Sequence, residues 1–106
     1  MKISVIVTTY NNPTYLNLVL RSLLSQTDSN YEIIVADDGS GEETAQLVRF
    51  VSNESPVPII HAWQEDLGFR AAASRNNGIR HASGDYCIFI DGDCIVRENF
   101  VARHRL

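Results

Sequence analysis

The stretch Tyr86-Cys-Ile-Phe-Ile-Asp-Gly-Asp-Cys94 joins an almost wholly apolar run to a pair of carboxylates. A short apolar run bounded by polar residues reads as a strand inside a parallel sheet, where both faces are covered. Asp91 and Asp93 then fall just past its C-terminal end, the edge at which open α/β sheets bind ligands. Two carboxylates one residue apart, with Gly92 removing bulk between them, suit a hard divalent cation shared with a phosphate. The same residues would also make a strand that ends in a solvated acidic turn. The rest of the chain has to decide between the two.

Working outward, four apolar, β-branched runs recur: Ile3–Thr9, Glu32–Asp37, Val57–His61 and Tyr86–Asp91. The segments between them are roughly 20 residues long, too long for hairpins and right for helical crossovers. The first connector carries Leu16, Val19, Leu20, Leu23 and Leu24 at helical spacing, with Asn12 and Pro13 as N-cap and first-turn signals. The second opens with a capping-box pattern at Ser40-Gly-Glu-Glu43, buries Leu47, Val48 and Val51, and ends at Ser55-Pro-Val-Pro58. The third runs from about Phe69 to Ala82. Its Ala71-Ala-Ala73 face suits close approach to the sheet, and Ser83-Gly84 provides a C-cap. Residues 97–104 open a fourth helix. This alternation predicts a Rossmann-like three-layer α/β/α fold with a mostly parallel sheet of order 3-2-1-4, in one domain over residues 1–106.

Composition narrows the function classes. A chain of 106 residues supports one core, and 44% hydrophobic with 21% charged residues is ordinary for a globular domain. A net charge of −4 argues against nucleic acid as a partner, although a metal ion would let an acidic protein hold a nucleotide. No apolar run reaches transmembrane length and Met1-Lys-Ile-Ser4 lacks a signal-peptide pattern, so the expectation is a cytoplasmic chain, free or peripheral at the inner face of the membrane. Cys87 and Cys94 lack C-x-x-C spacing and a nearby histidine, which speaks against structural zinc. Cys87 reads as a small core residue in a reducing compartment.

In a parallel sheet the C-terminal strand ends share one edge. Three of them are polar here: Thr8-Thr9-Tyr10-Asn11-Asn12, Asp37-Asp38-Gly39-Ser40 and Asp91-Gly92-Asp93. With strands about 4.8 Å apart, strands 2 and 4 lie roughly 10 Å from one another across strand 1, room for a base at one end and a diphosphate at the other. Asp38 offers an acceptor for a ring N–H, Tyr10 a ring face and Thr8 a hydroxyl. Thr9, Asp37 and Gly92 join them as substrate-binding candidates. Asp91 can reach a ribose or a metal, Asp93 suits direct coordination, and Arg70 and Arg75 can offset phosphate charge. Each has a plainer reading as strand terminus, capped turn or solvated helix charge. His61, His81 and His104 are scattered and read as unrelated to the site, and Trp63 reads as loop packing.

Together these segments resemble a known family. Ser4-Val-Ile-Val-Thr-Thr-Tyr-Asn-Asn12, Leu23-Leu-Ser-Gln-Thr27, Tyr31-Glu-Ile-Ile-Val-Ala-Asp-Asp-Gly-Ser40, Gly68-Phe-Arg70, Arg75-Asn-Asn-Gly-Ile79 and Ala82-Ser-Gly-Asp-Tyr86 stand in order before the D-G-D motif. They are similar to the N-terminal half of family 2 glycosyltransferases of the GT-A fold. The resemblance implies inverting transfer of a sugar from a nucleotide-diphosphate donor, UDP by preference, assisted by Mn2+ or Mg2+. By position it implies nucleoside contacts for Thr8, Tyr10 and Asp38, donor binding for Arg70, and metal binding for Asp91 and Asp93. The Gly-Phe-Arg and D-G-D variants look closest to enzymes that build capsular or glycosaminoglycan-like polysaccharides.

Family chains continue past this motif into a half that binds the glycan or lipid-linked acceptor and carries the catalytic base. No residue of this chain is assigned as catalytic, so the expectation is a donor-binding half with little turnover alone. The rival from another class is a non-catalytic α/β module that assembles, as a homo-oligomer or with a partner, through exposed edges. Phosphatase-like and receiver-like readings fail because the acidic motif lies on the last strand and Lys2 is the only lysine. A dinucleotide fold would place G-x-G-x-x-G where Thr8–Asn12 stands.

Overall fold

Strand β1 (Ile3–Thr9) pairs in parallel with β2 (Tyr31–Asp37) on one side and β4 (Tyr86–Asp91) on the other, and β2 pairs in parallel with β3 (Ile59–Trp63). The computed structural model describes residues 1–68 and 71–105, with Ala71 described by its backbone alone. Sheet order is β3-β2-β1-β4, as the sequence predicts. The central strands are buried on both faces, β2 along its whole length, which is why they read as continuous apolar runs. The edge strands β3 and β4 are only partly covered.

Residue parity divides the core. Val5, Val7, Ile33 and Val35 face Leu16, Val19, Leu20 and Leu23 of α1 (Pro13–Leu24), with Val48 and Val51 of α2 (Glu42–Glu54) and Val101 of α4 (Phe100–His104) in the same cluster. Burying each such side chain contributes about 1.5–3 kcal/mol. Ile6, Ile34, Ala36 and Ala62 form a second cluster on the opposite face, which α3 (Ala71–His81) covers. A side chain at Gly78 would lie 3.0 Å from Ile6 and 3.1 Å from Ala36, so that glycine sets how closely α3 approaches. Ala72 is exposed, whereas Ser74 and Gly78 are buried.

Several local expectations are corrected. Strand β3 starts at Ile59 rather than Val57, because the Ser55 hydroxyl donates to the Val57 carbonyl (2.6 Å) and accepts from its N–H (3.1 Å). Those two groups are thereby withdrawn from the ladder. Helix α2 starts at Glu42 with Gly41 as its N-cap and no side-chain cap, so the Ser40 capping box does not form. The Ser40 hydroxyl instead accepts from the Asn11 N–H (2.7 Å), and Asn11 Oδ1 accepts from the Gly41 N–H (2.9 Å), stapling the loops after β1 and β2 together. Ser83 and Gly84 close α3 through tertiary bonds. The Ser83 N–H and hydroxyl donate to the buried Glu32 carboxylate (2.7 and 3.0 Å), and Gly84 N–H donates to Ser4 Oγ (2.8 Å), itself a donor to Glu32 (2.7 Å). Among the described residues no helix is long and apolar enough to cross a membrane.

Candidate functional site

Parallel register places Thr8 opposite both Ala36 and Asp91, and Thr9 opposite Asp37, so the polar strand ends meet at one edge. There they surround a cavity of about 580 Å³ lined by Thr8, Thr9, Tyr10, Asp38, Asp91, Gly92 and Asp93, among others. That volume lies within the roughly 300–1,000 Å³ of small-molecule sites.

At the β4 end the Thr8 hydroxyl donates to Asp91 Oδ1 at 3.3 Å. Cys94 N–H donates to the Asp91 carbonyl at 3.1 Å, closing a tight turn. A side chain at Gly92 would stand 2.5 Å from the Thr8 carbonyl and 3.3 Å from Thr9 Oγ1, so only glycine lets this turn press against β1. Asp91 and Asp93 both remain exposed, with carboxylate oxygens within 4.8 Å of each other. Thr9 lines the cavity, and its Oγ1 is buried without a hydrogen-bond partner.

At the β2 end the two adjacent acids separate. Asp38 lines the cavity, donates its N–H to the Thr9 carbonyl (3.1 Å) and accepts from Gln64 Nε2 (2.7 Å). Asp37, expected among the substrate contacts, is fully buried and lies outside the cavity wall. Its Oδ2 meets His61 Nε2 at 2.7 Å, and its Oδ1 accepts from the Ser40 N–H at 2.9 Å. Burial pushes the Asp37 carboxyl up, but the bonds from His61 and Ser40 outweigh it and hold the group below the ordinary carboxylate range. Asp37 thus ties the loop of Asp38 and Ser40 to His61 of β3. His61, set aside in the sequence, is its partner.

Tyr10 is half exposed, and its hydroxyl donates to Asp66 Oδ2 at 2.6 Å. That bond is the main reason its hydroxyl is pushed above the ordinary tyrosine value. Asp66 crosses above Gly39, whose φ of +100° is left-handed and where an added side chain would overlap Asp66. Asp66 was missed in the sequence; its one signal was an acidic residue just after β3, on the same sheet edge. Ser74 was missed too, and it lines the cavity with a buried, unpartnered hydroxyl. Arg75 joins the wall with its guanidinium 5.9 Å from the Phe89 ring centroid. Arg70 lies outside the described residues. Trp63 donates its indole N–H to the Ser40 carbonyl at 2.9 Å and so braces the loop.

Residues 4–104 match the family model described as glycosyl transferase family 2. Validoxylamine A glucosyltransferase of Streptomyces hygroscopicus subsp. jinggangensis is 38% identical over 101 residues, covering 93% of this chain and 24% of that protein. Hyaluronan synthase of Pasteurella multocida is 39% identical over 92 residues, covering 86% of this chain and 9% of that one. Among solved structures, S. aureus TarS 1–349 in complex with UDP-GlcNAc superposes with a TM-score of 0.87 at 28% identity, covering 99% of this chain and 30% of that chain. The chain thus spans about a quarter of the length of the first of these relatives.

Proposed function

This chain belongs to glycosyl transferase family 2, and on that premise we propose that it is the donor-binding half of a transferase that uses a nucleotide-diphosphate sugar, UDP-linked by preference. The observation that carries the proposal is convergence: Asp38, the Thr8–Tyr10 strand end and the Asp91-Gly-Asp93 turn border one cavity. Asp38 is suited to accept the base N–H, Tyr10 to offer a ring face and Thr8 a hydroxyl. Asp91 takes the ribose or the metal. Arg75, and Arg70 by its place in the Gly-Phe-Arg motif, offset diphosphate charge.

The residues present fit a divalent cation. Two exposed carboxylates share a turn held against β1. Oxygen donors of this kind favour Mg2+ or Mn2+. When bound, the ion would neutralise the diphosphate leaving group; Asp93 would hold it, with Asp91. No residue of this chain is assigned as the base, so acceptor binding, inversion and turnover belong to length that the relatives have beyond this segment. The reading predicts donor binding with little turnover by this chain, in the synthesis of a polysaccharide or glycoconjugate.

Thermal melting with UDP and Mn2+ tests the proposal. Ligand at ten times its dissociation constant adds about 1.4 kcal/mol, a rise of roughly 5–10 °C in a domain of this size. No rise at millimolar UDP with Mn2+ sinks it.

A second reading, assembly through the open side of β4, is favoured by Tyr86, Phe89 and Ile95, which stay exposed. Size-exclusion chromatography with light scattering tests it, since a monomer at all concentrations would remove self-association.

A further inference from the structure

We infer that Gln64 is a positioning residue for base recognition: it holds the Asp38 carboxylate as the acceptor of a base ring N–H, and so sets a preference for UDP over CDP. The inference rests on the donor-binding reading above. It adds a residue that stands outside the cavity wall and acts on the base only through Asp38.

Gln64 follows β3 as Asp38 follows β2, on the same edge of the sheet. Its N–H donates to the Asp37 carbonyl (3.0 Å), which extends the parallel pairing one residue past Trp63. Trp63 itself is tied to the Ser40 carbonyl through its indole N–H (2.9 Å). From this anchored backbone the half-buried Gln64 side chain donates from Nε2 to Asp38 Oδ1 at 2.7 Å. On the β1 side the Asp38 N–H is bound to the Thr9 carbonyl (3.1 Å), so the backbone of both partners is fixed.

Chemistry fixes the sense of this contact. An ionised carboxylate only accepts, whereas a glutamine amide donates at one end and accepts at the other, so the NH2 must face Asp38. Asp38 is only 7% exposed, and a buried charge is costly unless hydrogen bonds satisfy it. The Gln64 amide supplies such a bond. It also restrains the carboxylate, since rotation of the group would give up the bond to Oδ1. A uracil ring carries N–H at N3 where a cytosine ring carries a lone pair. An acceptor held at that atom attracts the first and repels the second. A site built around one hydrogen bond rejects the analogue that lacks it, because a buried group is then left unpaired.

UDP and CDP are the probes, titrated calorimetrically with and without Mn2+ into proteins whose folding is checked by circular dichroism. Gln64→Met keeps the stem and removes the donor, while Gln64→Glu keeps the size and sets a carboxylate against Asp38. The wild type is expected to bind UDP at least about tenfold more tightly than CDP. Each Gln64 variant should weaken UDP by about tenfold and narrow that preference at least about threefold. The factor by which Mn2+ strengthens UDP binding should stay the same. Added to Asp38→Ala, Gln64→Met should change UDP affinity by less than about twofold, because it acts through the acid. A wild-type preference kept in both Gln64 variants overturns the inference and leaves the donor site standing. An equal loss with and without the Asp38 carboxylate also overturns it, by marking a merely structural role. UDP binding with no preference over CDP does the same and removes the base contact of Asp38. Absence of UDP binding by the wild type removes the reading on which it rests, and the inference with it.

Discussion

His61 Nε2 lies 2.7 Å from Asp37 Oδ2, one residue away from the acid that lines the cavity. The pair braces the loop of Asp38 and Ser40 from outside the cavity wall. Replacing His61 by Ala leaves a fully buried carboxylate with only Ser40 to satisfy it. The expected cost is about 2 kcal/mol, the penalty for a buried group losing its partner. Calorimetry should show the melting point falling by roughly 8–16 °C.

Acid should unfold the chain through its buried carboxylates. Burial pushes Glu32 up, but hydrogen bonds from Ser83, Ser4 and Lys2 outweigh it and hold the group below its ordinary 4.5. Asp37 is lowered from 3.8 by His61 and Ser40 against the same burial. A lowered folded value means stability that is present above the unfolded value and lost as pH falls through the folded one. Urea midpoints should therefore be flat above about pH 5 and fall steadily below about pH 4.5. Glu32→Gln should lower the plateau and make the acid limb shallower.

Gly92→Ala places a methyl group 2.5 Å from the Thr8 carbonyl. The turn must move away from β1, at a cost of about 1–3 kcal/mol. Circular dichroism should still report a folded protein, while calorimetric titration shows UDP–Mn2+ binding lost or weakened at least about tenfold.

Tyr10 separates ring from hydroxyl. Its bond to Asp66 joins two exposed groups, so Tyr10→Phe should change stability by no more than about 0.5 kcal/mol. If the ring is the nucleoside platform, Tyr10→Phe keeps UDP affinity within about threefold. Tyr10→Ala should lose about 1–3 kcal/mol of stacking, tenfold or more. Equal losses in the two variants would assign the role to the hydroxyl instead.

Much of this arrangement was legible before the structure, for a physical reason. Strands buried on both faces read as continuous apolar runs, and a parallel sheet puts the ends after Thr9, Asp37 and Asp91 on one edge. Side-chain assignment within the edge was less legible. Asp37 and Asp38 look alike in sequence, but Asp37 ends β2 beside His61 while Asp38 opens the loop after it and lines the cavity. Asp66 reaches the site along a loop with no periodicity to read. Ser74 and Gly78 are buried on α3, a phase that this helix carries too few large apolar residues to reveal. Ser40 looked like a cap, yet it was bound by Asn11 across the loops, a contact between segments 29 residues apart.

The central claim is that Asp38 and the Asp91–Asp93 turn hold opposite ends of one nucleotide diphosphate. Calorimetric titration of UDP, with and without Mn2+, into the wild-type, Asp38→Asn and Asp93→Ala proteins tests it most directly. The account predicts Mn2+-dependent binding by the wild type. It predicts that Asp93→Ala removes the Mn2+ enhancement but keeps weak metal-independent binding. Asp38→Asn should weaken binding by about tenfold, the value of about one hydrogen bond to a charged group, with or without metal. Wild-type affinity for UDP that is unchanged by Mn2+ and by both substitutions would contradict the account.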